Sequence, residues 1–254
     1  MESRKMRGKA SPANMVYGTR AIIESLSTDR EIERVLIQKG IQNELISSLT
    51  RELSQQGIPF SRVPLEKLNR LTKKNHQGAI AFISPIIYQN LDNIISQVFE
   101  SGKNPLILVL DRVTDVRNFG AIARTAECAG VDAIVIPAKG GAQINADAVK
   151  TSAGGLNHIP ICREDNLKST LDYLKNSGLK VVACTEKADK NLYDIELSQP
   201  LAVLMGSEED GISRAYLDKS DEQVFIPMFG KIDSLNVSVS TAVILYEAIR
   251  QRSD

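Results

Sequence analysis

From residue 104 to residue 252 the chain alternates short apolar runs with amphipathic segments, and this alternation constrains the fold more than any other feature. Runs typical of strands are PLILVLD, DAIVIPA, HIPICRE, LKVVACTE, LAVLMGS and QVFIPM, and runs typical of helices, such as FGAIARTAECAG and VSTAVILYEAIRQR, lie between or after them. Short apolar strands that alternate with helices predict a parallel sheet covered on both faces. Because ligands bind at the carboxyl ends of strands in such sheets, we expect a site just after LVL, VLMG and FIPM.

A smaller α/β unit precedes this region. From Tyr17 the pattern predicts helices and strands in alternation: YGTRAIIESL, RVLIQ, NELISSLTRELSQQG, PFSRV, PLEKLNRLT and QGAIAFIS. Gly57 ends the second helix and Pro64 opens the third. We therefore predict a flexible basic tail over residues 1–14, a small α/β domain over 15–84, a linker with a connecting helix over 85–103, and the larger parallel-sheet domain over 104–254.

The formal net charge of zero conceals an asymmetry. Residues 1–84 hold 14 Lys and Arg against 8 Asp and Glu, whereas residues 85–254 hold 17 against 23. A basic first domain suggests a polyanion such as nucleic acid as partner, although surface charge also varies freely between domains. The apolar runs are far shorter than the roughly 20 residues that span a bilayer. Together with a basic N-terminus that lacks the apolar run of a secretory signal, this predicts a cytoplasmic protein without a membrane segment.

Metal and disulfide chemistry are not indicated. The cysteines are Cys128, Cys162 and Cys184, and the histidines are His76 and His158. Their spacing fits no zinc finger and argues against a disulfide framework. We expect the three cysteines to be buried small apolar residues, His76 to be a turn residue, and no metal to be required.

The first polar segment after a strand is RVTDVRNFGAIARTAECAG. Asn118 is a candidate N-cap for a helix that begins near Phe119, and Gly120 would let a ligand approach the backbone closely. Arg124 falls within the first two turns, near the strand ends. Capping by itself would account for Asn118, and pairing with a carboxylate is the alternative for Arg124.

Two further polar segments follow later strands. GSEEDGISRAYL is either a tight acidic turn before a Ser-capped helix or a loop whose main chain binds a small polar ligand, with Glu208 as a fixed charge. In GKIDSLNVSVS, Gly230 lets the chain turn, Ser234 and Asn236 supply a hydroxyl and an amide, and Ser238 is a candidate cap for the last helix. Neither GxGxxG, nor GxxxxGK[ST], nor GxSxG occurs at any of these positions, so the usual dinucleotide, triphosphate and hydrolase loops are excluded.

Taken together, NFGAIAR, LMGSEEDGIS and IPMFGKIDSLNVSVSTAVILYE resemble the three motifs of the SpoU (TrmH) family of RNA ribose 2'-O-methyltransferases, within the SPOUT superfamily. The resemblance covers about residues 104–252, in the family's order and each time after a predicted strand. The front unit, with YGTRAIIESL, RVLIQKG and KNHQGAIAF, is similar to the RNA substrate-binding domain of the subgroup that methylates a guanosine in the peptidyl-transferase region of 23S ribosomal RNA.

This resemblance implies a deep trefoil knot in the parallel-sheet domain, S-adenosylmethionine as cofactor, and a homodimer whose active sites are completed across the interface. The implied catalytic residues are Asn118, Arg124, Glu208, Ser234 and Asn236. The implied cofactor-binding residues are Gly206, Ile226, Met228, Gly230 and Leu235. Candidates for phosphate contacts with large-subunit ribosomal RNA are Arg20, Arg34, Lys73 and Lys74. No role follows for Asn157 and His158.

The family's arginine, here Arg124, is cast as the base that deprotonates the ribose hydroxyl. Because a guanidinium keeps its proton below about pH 12, a more economical hypothesis is that Arg124 holds a phosphate and stabilises the developing alkoxide. Asn118 and Asn236 would then orient the sugar, and the proton would leave to water, to phosphate or to Glu208. The alternatives are a transfer-RNA ribose methylase, a resistance-type ribosomal methylase, or a non-catalytic RNA-binding assembly factor with the same fold.

Overall fold

The structure, a computed structural model, describes residues 15–27, 31–142 and 144–253. The predicted basic tail over residues 1–14 lies outside the described residues. The chain divides into two compact units, the first extending to Ile87 and taking in Ile144–Asp147, and the second comprising the rest from Tyr88 onward.

The first unit is a small α/β fold. Its elements are β1 (Met15–Tyr17), α1 (Thr19–Leu26), β2 (Ile32–Gln38), α2 (Glu44–Gln55), β3 (Phe60–Val63), α3 (Leu65–Leu71) and β4 (Ala79–Ile83). The sheet order is β1-β4-β2-β3. Strand β4 is antiparallel to β1 and β2, and β2 pairs with β3 in parallel. One face of the sheet packs on α1 and α2, and the other packs on α3.

Local signals explain most of these boundaries. Helix α2 starts after Asn43, whose side chain accepts a hydrogen bond from the Ile46 N–H at 2.9 Å. The prediction that a helix begins at Tyr17 is wrong, because Tyr17 belongs to β1 and pairs with Ile80. Gly18, with φ 91°, separates that strand from α1. A strand of three residues is too short for its alternation to be recognised in the sequence.

The second unit carries the longer alternation. Its elements are α4 (Leu91–Glu100), β5 (Leu106–Leu110), α5 (Val116–Cys128), β6 (Ala133–Pro137), α6 (Ala146–Thr151), β7 (Ile161–Glu164), α7 (Leu167–Asn176), β8 (Lys180–Cys184), β9 (Lys190–Asn191), β10 (Leu201–Met205), α8 (Arg214–Leu217), β11 (Glu222–Phe225) and α9 (Val237–Arg252). The first two residues of α6, Ala146 and Asp147, are assigned to the first unit. The strands form one parallel sheet in the order β7-β6-β5-β10-β8-β11-β9, which confirms the predicted parallel α/β architecture. Strand β9 was not predicted, since it has two residues.

The centre of this sheet brings together strands that are distant in sequence. Strand β10 lies between β5 and β8, and Met205 is in register with both Leu110 and Cys184. Helices α4 and α7 contribute Leu91, Ile95 and Leu171 to one buried cluster with the sheet. Because the three central strands end in register, the segments that follow them leave the sheet at the same edge.

No helix in the described parts of the chain is both long enough and apolar enough to span a membrane.

Candidate active site

A cavity of about 280 Å³ lies at the carboxyl ends of β8 and β10, beside the segment that follows β11. Three stretches of chain supply its lining, within residues 184–186, 205–212 and 226–240. The register of the central strands accounts for this convergence, because Cys184 and Met205 end neighbouring strands at the same level. The cavity thus lies after two of the three strands that the sequence indicated, β10 and β11, whereas no residue that follows β5 lines it.

The lining combines apolar walls with acidic groups. The larger apolar side chains are Met205, Ile212, Ile226 and Leu235. Three carboxylates line the cavity with them: Glu186, Glu208 and Asp233. Within the described residues, no Lys, Arg or His lines it. Such a cavity suits a ligand that has an apolar planar part and carries positive charge.

Gly206 is required by the geometry of the loop after β10. A Cβ at this position would lie 2.2 Å from the carbonyl carbon of Gly211 and 2.3 Å from the Ile212 nitrogen. The loop closes on itself, since Ser207 N–H donates to Gly211 O at 3.2 Å and Gly211 N–H donates to Ser207 O at 3.0 Å. Any side chain at Gly206 would therefore push the two arms of this cavity-lining loop apart.

The end of β5 anchors the same loop. The buried Asp111 carboxylate accepts hydrogen bonds from Ser213 N–H at 2.7 Å and from Arg112 Nε at 3.0 Å. Arg112 also donates to Asp210 Oδ2 at 3.1 Å and to Gly211 O at 3.3 Å. Arg112 has φ 54°, an uncommon conformation for a residue with a side chain, and the guanidinium contacts hold it there. Neither Asp111 nor Arg112 is among the site residues predicted from the sequence.

A hydrogen-bonded cluster joins all three polar segments. Asn236 Nδ2 donates to Asn118 Oδ1 at 3.0 Å and also to Glu208 Oε1. The Val237 N–H donates to the same Glu208 oxygen at 3.3 Å. The amide orientation of Asn236 follows from its cap, because its Oδ1 accepts from Ser238 N–H at 3.0 Å and the other atom must then be the donor. The NH₂ group of Asn118 donates to neither Asn236 nor Glu208.

Two predicted helix caps are wrong. Helix α5 begins at Val116, and Asp115 caps it by accepting from the N–H groups of Arg117 and Asn118, both at 2.8 Å. Asn118 therefore lies in the first turn, where its side chain is free of the capping role. Asn236, not Ser238, caps α9. Ser213 does occupy the N-cap position of α8 but makes no side-chain capping bond.

Gly120 serves helix packing in this structure. A Cβ there would lie 2.7 Å from the Thr151 Cβ and 2.8 Å from the Ala148 carbonyl oxygen, so the close approach comes from α6 and not from a ligand. Gly155 packs in the same way on the backbone of Arg124, with a distance of 3.1 Å from a built Cβ to its Cα. The small residues of KTSAGG thus let this segment lie against α5.

The structure brings most of the predicted site residues together. Gly206, Ile226, Met228 and Leu235 line the cavity, as do Glu208, Ser234 and Asn236, while Asn118 is bonded to Asn236. Three predicted residues do not line the cavity: Asn118, Arg124 and Gly230. Arg124 is exposed on α5, and its side chain makes no hydrogen bond or ion pair with another described residue. The chain does bend at Gly230, as expected, but its φ is not positive and nothing lies within 4 Å of a built Cβ, so this bend does not require glycine.

Sequence reasoning missed the contribution of β8. Cys184, Thr185 and Glu186 line the cavity, although LKVVACTE was read only as a strand. Burial, together with the nearby Glu186 charge, raises the pKa of the Cys184 thiol to about 12. Cys162 is buried as expected, but Cys128 is exposed at the last position of α5, so the expectation of three buried cysteines is wrong.

The four candidate RNA contacts all lie in the first unit. Arg20, Lys73 and Lys74 are exposed, and Arg34 is half-buried. His76 is more than a turn residue, because it is buried, accepts from Gly78 N–H through Nδ1 at 3.1 Å and contacts Asn69 Oδ1 through Nε2 at 3.0 Å. Asn157 and His158 are exposed.

Comparison with known proteins covers both units. Residues 105–246 match the model of the SpoU rRNA Methylase family, and residues 15–89 match the model described as RNA 2'-O ribose methyltransferase substrate binding. A relative from Staphylococcus aureus, named as a TrmH family tRNA/rRNA methyltransferase, is 35% identical over 94% of this chain and 97% of its own.

Solved structures agree with this assignment. The AdoMet-bound rRNA methyltransferase from Sinorhizobium meliloti is 25% identical with a TM-score of 0.60, covering 93% of this chain and 87% of its own. The TrmH/SpoU tRNA modifying enzyme from A. aeolicus is 30% identical with a TM-score of 0.54, covering 64% of this chain and 84% of its own. The chain belongs to the SpoU (TrmH-type) family of RNA methyltransferases.

Proposed function

We propose that this protein transfers a methyl group from S-adenosylmethionine to a ribose 2'-hydroxyl, most specifically of a guanosine in the peptidyl-transferase region of 23S ribosomal RNA. The observation that carries the proposal is the cluster of Asn118, Asn236 and Glu208 beside an acidic, partly apolar cavity. Polar groups for a sugar and a cavity for a cationic donor are thus adjacent.

The cavity fits the proposed cofactor. Bound S-adenosylmethionine supplies an electrophilic methyl group on a positively charged sulfonium. The carboxylates of Glu186, Glu208 and Asp233 favour a ligand of that charge, and Ile226 and Leu235 offer apolar surface for an adenine ring. After transfer the sulfur is neutral, so the same carboxylates attract the product less than the substrate.

The remaining residues would act on the ribose. With its oxygen engaged by Asn236, Asn118 offers its NH₂ group to a sugar oxygen. Both hydrogen bonds to Glu208 from described residues reach Oε1, which leaves Oε2 as a proton acceptor. Arg124 would hold a phosphate and stabilise the developing alkoxide, because its guanidinium remains charged throughout.

The exposed position of Arg124 supports a homodimer, in which the arginine of one copy completes the site of the other. Helix α9 supports the same conclusion. Its buried side carries Ile244 and Leu245, but Val239 and Tyr246, seven positions apart on another side, are 46% and 52% exposed. A helix with two apolar sides is typical of one that packs against a second partner.

We further propose the knot that the family resemblance implies, which is supported by the convergence of residues 184–186, 205–212 and 226–237 on one cavity.

Ribosomal RNA is favoured over transfer RNA by the extent of the structural likeness. The rRNA methyltransferase from Sinorhizobium meliloti matches 93% of the chain, and hence both units, whereas the tRNA modifying enzyme from A. aeolicus matches 64%. Transfer RNA remains the second candidate, because the Staphylococcus relative is named for both substrates.

The decisive experiment maps ribose methylation in ribosomal and transfer RNA from cells with and without this gene. Loss of one 2'-O-methylguanosine in 23S RNA is the expected result. Loss confined to transfer RNA would replace the proposed substrate, and unchanged RNA together with no calorimetric binding of S-adenosylmethionine would support a non-catalytic assembly factor.

The role of Arg124 is tested with purified protein. Arg124→Lys keeps the charge but loses the planar fork, and we expect kcat to fall about a hundredfold while the affinity for S-adenosylmethionine is unchanged. Arg214→Lys is the matched control, because Arg214 is an exposed arginine paired only with Asp218 at 2.9 Å among the described residues. Substantial turnover by Arg124→Lys with an altered pH profile would contradict the need for a guanidinium.

A further inference from the structure

One face of the sheet in the first unit is only partly covered. Alternation along the strands places Met15, Leu36, Val63 and Ile80 on this face, where they pack on Leu68 of α3. Tyr17, Arg34 and Phe82 share the same face but are half-buried. Arg34 is in register with Phe82 across β2 and β4, and Tyr17 of β1 is in register with Ile80, the next residue of β4 on this face. Two aromatic rings and a cation therefore lie side by side on an open patch.

The guanidinium of Arg34 lies over an aromatic ring. Its guanidinium carbon lies 4.5 Å from the centroid of the Phe82 ring. Among the described residues the guanidinium makes no hydrogen bond or ion pair. Burial lowers its pKa, and the charge of the adjacent Glu33 offsets only part of this shift. The five N–H donors of this half-buried guanidinium have lost part of their solvation without gaining a hydrogen-bond acceptor among the described residues. A ligand rich in acceptors would supply the missing hydrogen bonds.

A second cation lies over the neighbouring ring. Lys74 Nζ is 5.3 Å from the centroid of Tyr17. The turn that carries Lys74 is fixed by its own hydrogen bonds, from Lys74 N–H to Thr72 Oγ1 at 3.1 Å and from Gly78 N–H to His76 Nδ1 at 3.1 Å. The lysine is therefore held near the patch by the fold, although its side chain is exposed.

We propose that Arg34, Phe82, Lys74 and Tyr17 form a binding surface for an unpaired nucleotide of the RNA substrate. The base stacks on the plane of the Arg34 guanidinium, and Lys74 holds an adjacent phosphate. Stacking of unpaired bases on arginine or aromatic planes is the usual way in which single-stranded RNA is bound, and duplex RNA does not offer free base faces. The proposal rests on the proposed function insofar as RNA is the ligand, and it adds that the first unit selects an unstacked base.

The test uses the full-length protein and fluorescence anisotropy with a labelled short single-stranded oligonucleotide and with the same RNA annealed to its complement. Arg34→Ala is expected to weaken binding of the single strand about tenfold and binding of the duplex less than twofold. Arg34→Lys should recover little of the loss, because it restores the charge without the plane. Arg51→Ala is the charge-matched control, since Arg51 is exposed on α2, which covers the other face of the sheet.

Three outcomes would overturn the proposal: equal losses for single-stranded and duplex RNA, full recovery by Arg34→Lys, or a loss no larger than that of Arg51→Ala. Either of the first two would show that Arg34 acts only through its charge, on a phosphate or on any acidic partner. Phe82→Leu provides an independent variant, and thermal midpoints of all variants exclude unfolding as the cause. Methyl transfer is measured separately, so an inactive protein that still prefers single strands would refute the proposed function alone.

Discussion

Replacing Gly206 with alanine tests whether the loop after β10 is shaped for the cofactor. The added Cβ would lie 2.2 Å from the Gly211 carbonyl carbon, 2.3 Å from the Ile212 nitrogen and 2.5 Å from the Gly211 oxygen. These are backbone atoms, so no side-chain rotation can relieve the overlap. To restore ordinary contact one arm of the loop must move by about 1 Å, and overpacking of this kind costs about 3 kcal/mol.

The hydrogen bonds that anchor the loop determine which of its two arms moves. Asp111 holds Ser213 N–H at 2.7 Å, and Arg112 holds Asp210 and Gly211. The arm from Gly211 onward is thus fixed to β5, and the displacement falls on the arm with Glu208, which lines the cavity. We expect the affinity for S-adenosylmethionine to fall about fivefold, equivalent to about 1 kcal/mol. The free energy of unfolding should fall by about 2 kcal/mol.

Titration calorimetry with S-adenosylmethionine and urea denaturation without it measure the two effects. Gly230→Ala is the matched control, because Gly230 lies between the cavity-lining residues Met228 and Asp233 without lining the cavity itself, nothing lies within 4 Å of its built Cβ, and its φ is not positive. It should change neither quantity by more than about 0.5 kcal/mol. Wild-type affinity and stability in Gly206→Ala would refute the reasoning about the loop.

Three further predictions concern stability and reactivity. The Arg252 guanidinium donates to four backbone carbonyls, those of Asn104, Pro105, Leu197 and Gln199. An ammonium cannot reach all four, so Arg252→Lys should lower the free energy of unfolding in urea by about 2 kcal/mol. An unchanged urea midpoint would contradict this. Iodoacetamide at pH 8 should label Cys128 quickly and Cys184 very slowly, since the pKa of Cys184 is raised to about 12, and mass spectrometry of the two peptides measures the ratio. The hydrogen bond and charge of Lys180 lower the pKa of Glu222. The contribution of Glu222 to stability is therefore complete above the ordinary carboxyl pKa and is lost as pH falls through the lower pKa of the folded state. Glu222→Gln should show a smaller drop in Tm between neutral and acid pH than the wild type, and an equal drop would refute the assignment.

Much of the fold was predictable because its signals are local. Strands β5 and β10 at the centre of the larger sheet are continuous apolar runs in which every residue is buried. A run of that kind has few alternatives to a covered strand. The misses were also local in origin. Residues 15–17 and 190–191 are too short to show a period, and in TDVRN both Asp115 and Asn118 are good capping residues, so composition does not decide between them.

The candidate site was also predictable only in part. The types of residue after three strands indicated where polar groups would collect, and Glu208, Ser234 and Asn236 do line one cavity. The sequence could not show that Cys184 and Glu186 line it too, because that depends on β8 being in register with β10. Nor could it show that Gly120 faces α6.

By itself the sequence determined most of the strands and helices and the covered parallel sheet, because apolar periodicity and turn residues act within a few positions along the chain. Tertiary structure alone decided that Asn118 meets Asn236, 118 residues later, that Arg112 reaches Gly211, and that Arg34 stacks on Phe82. These contacts depend on distances between distant segments, which are set when the strands close into sheets and which no local pattern encodes.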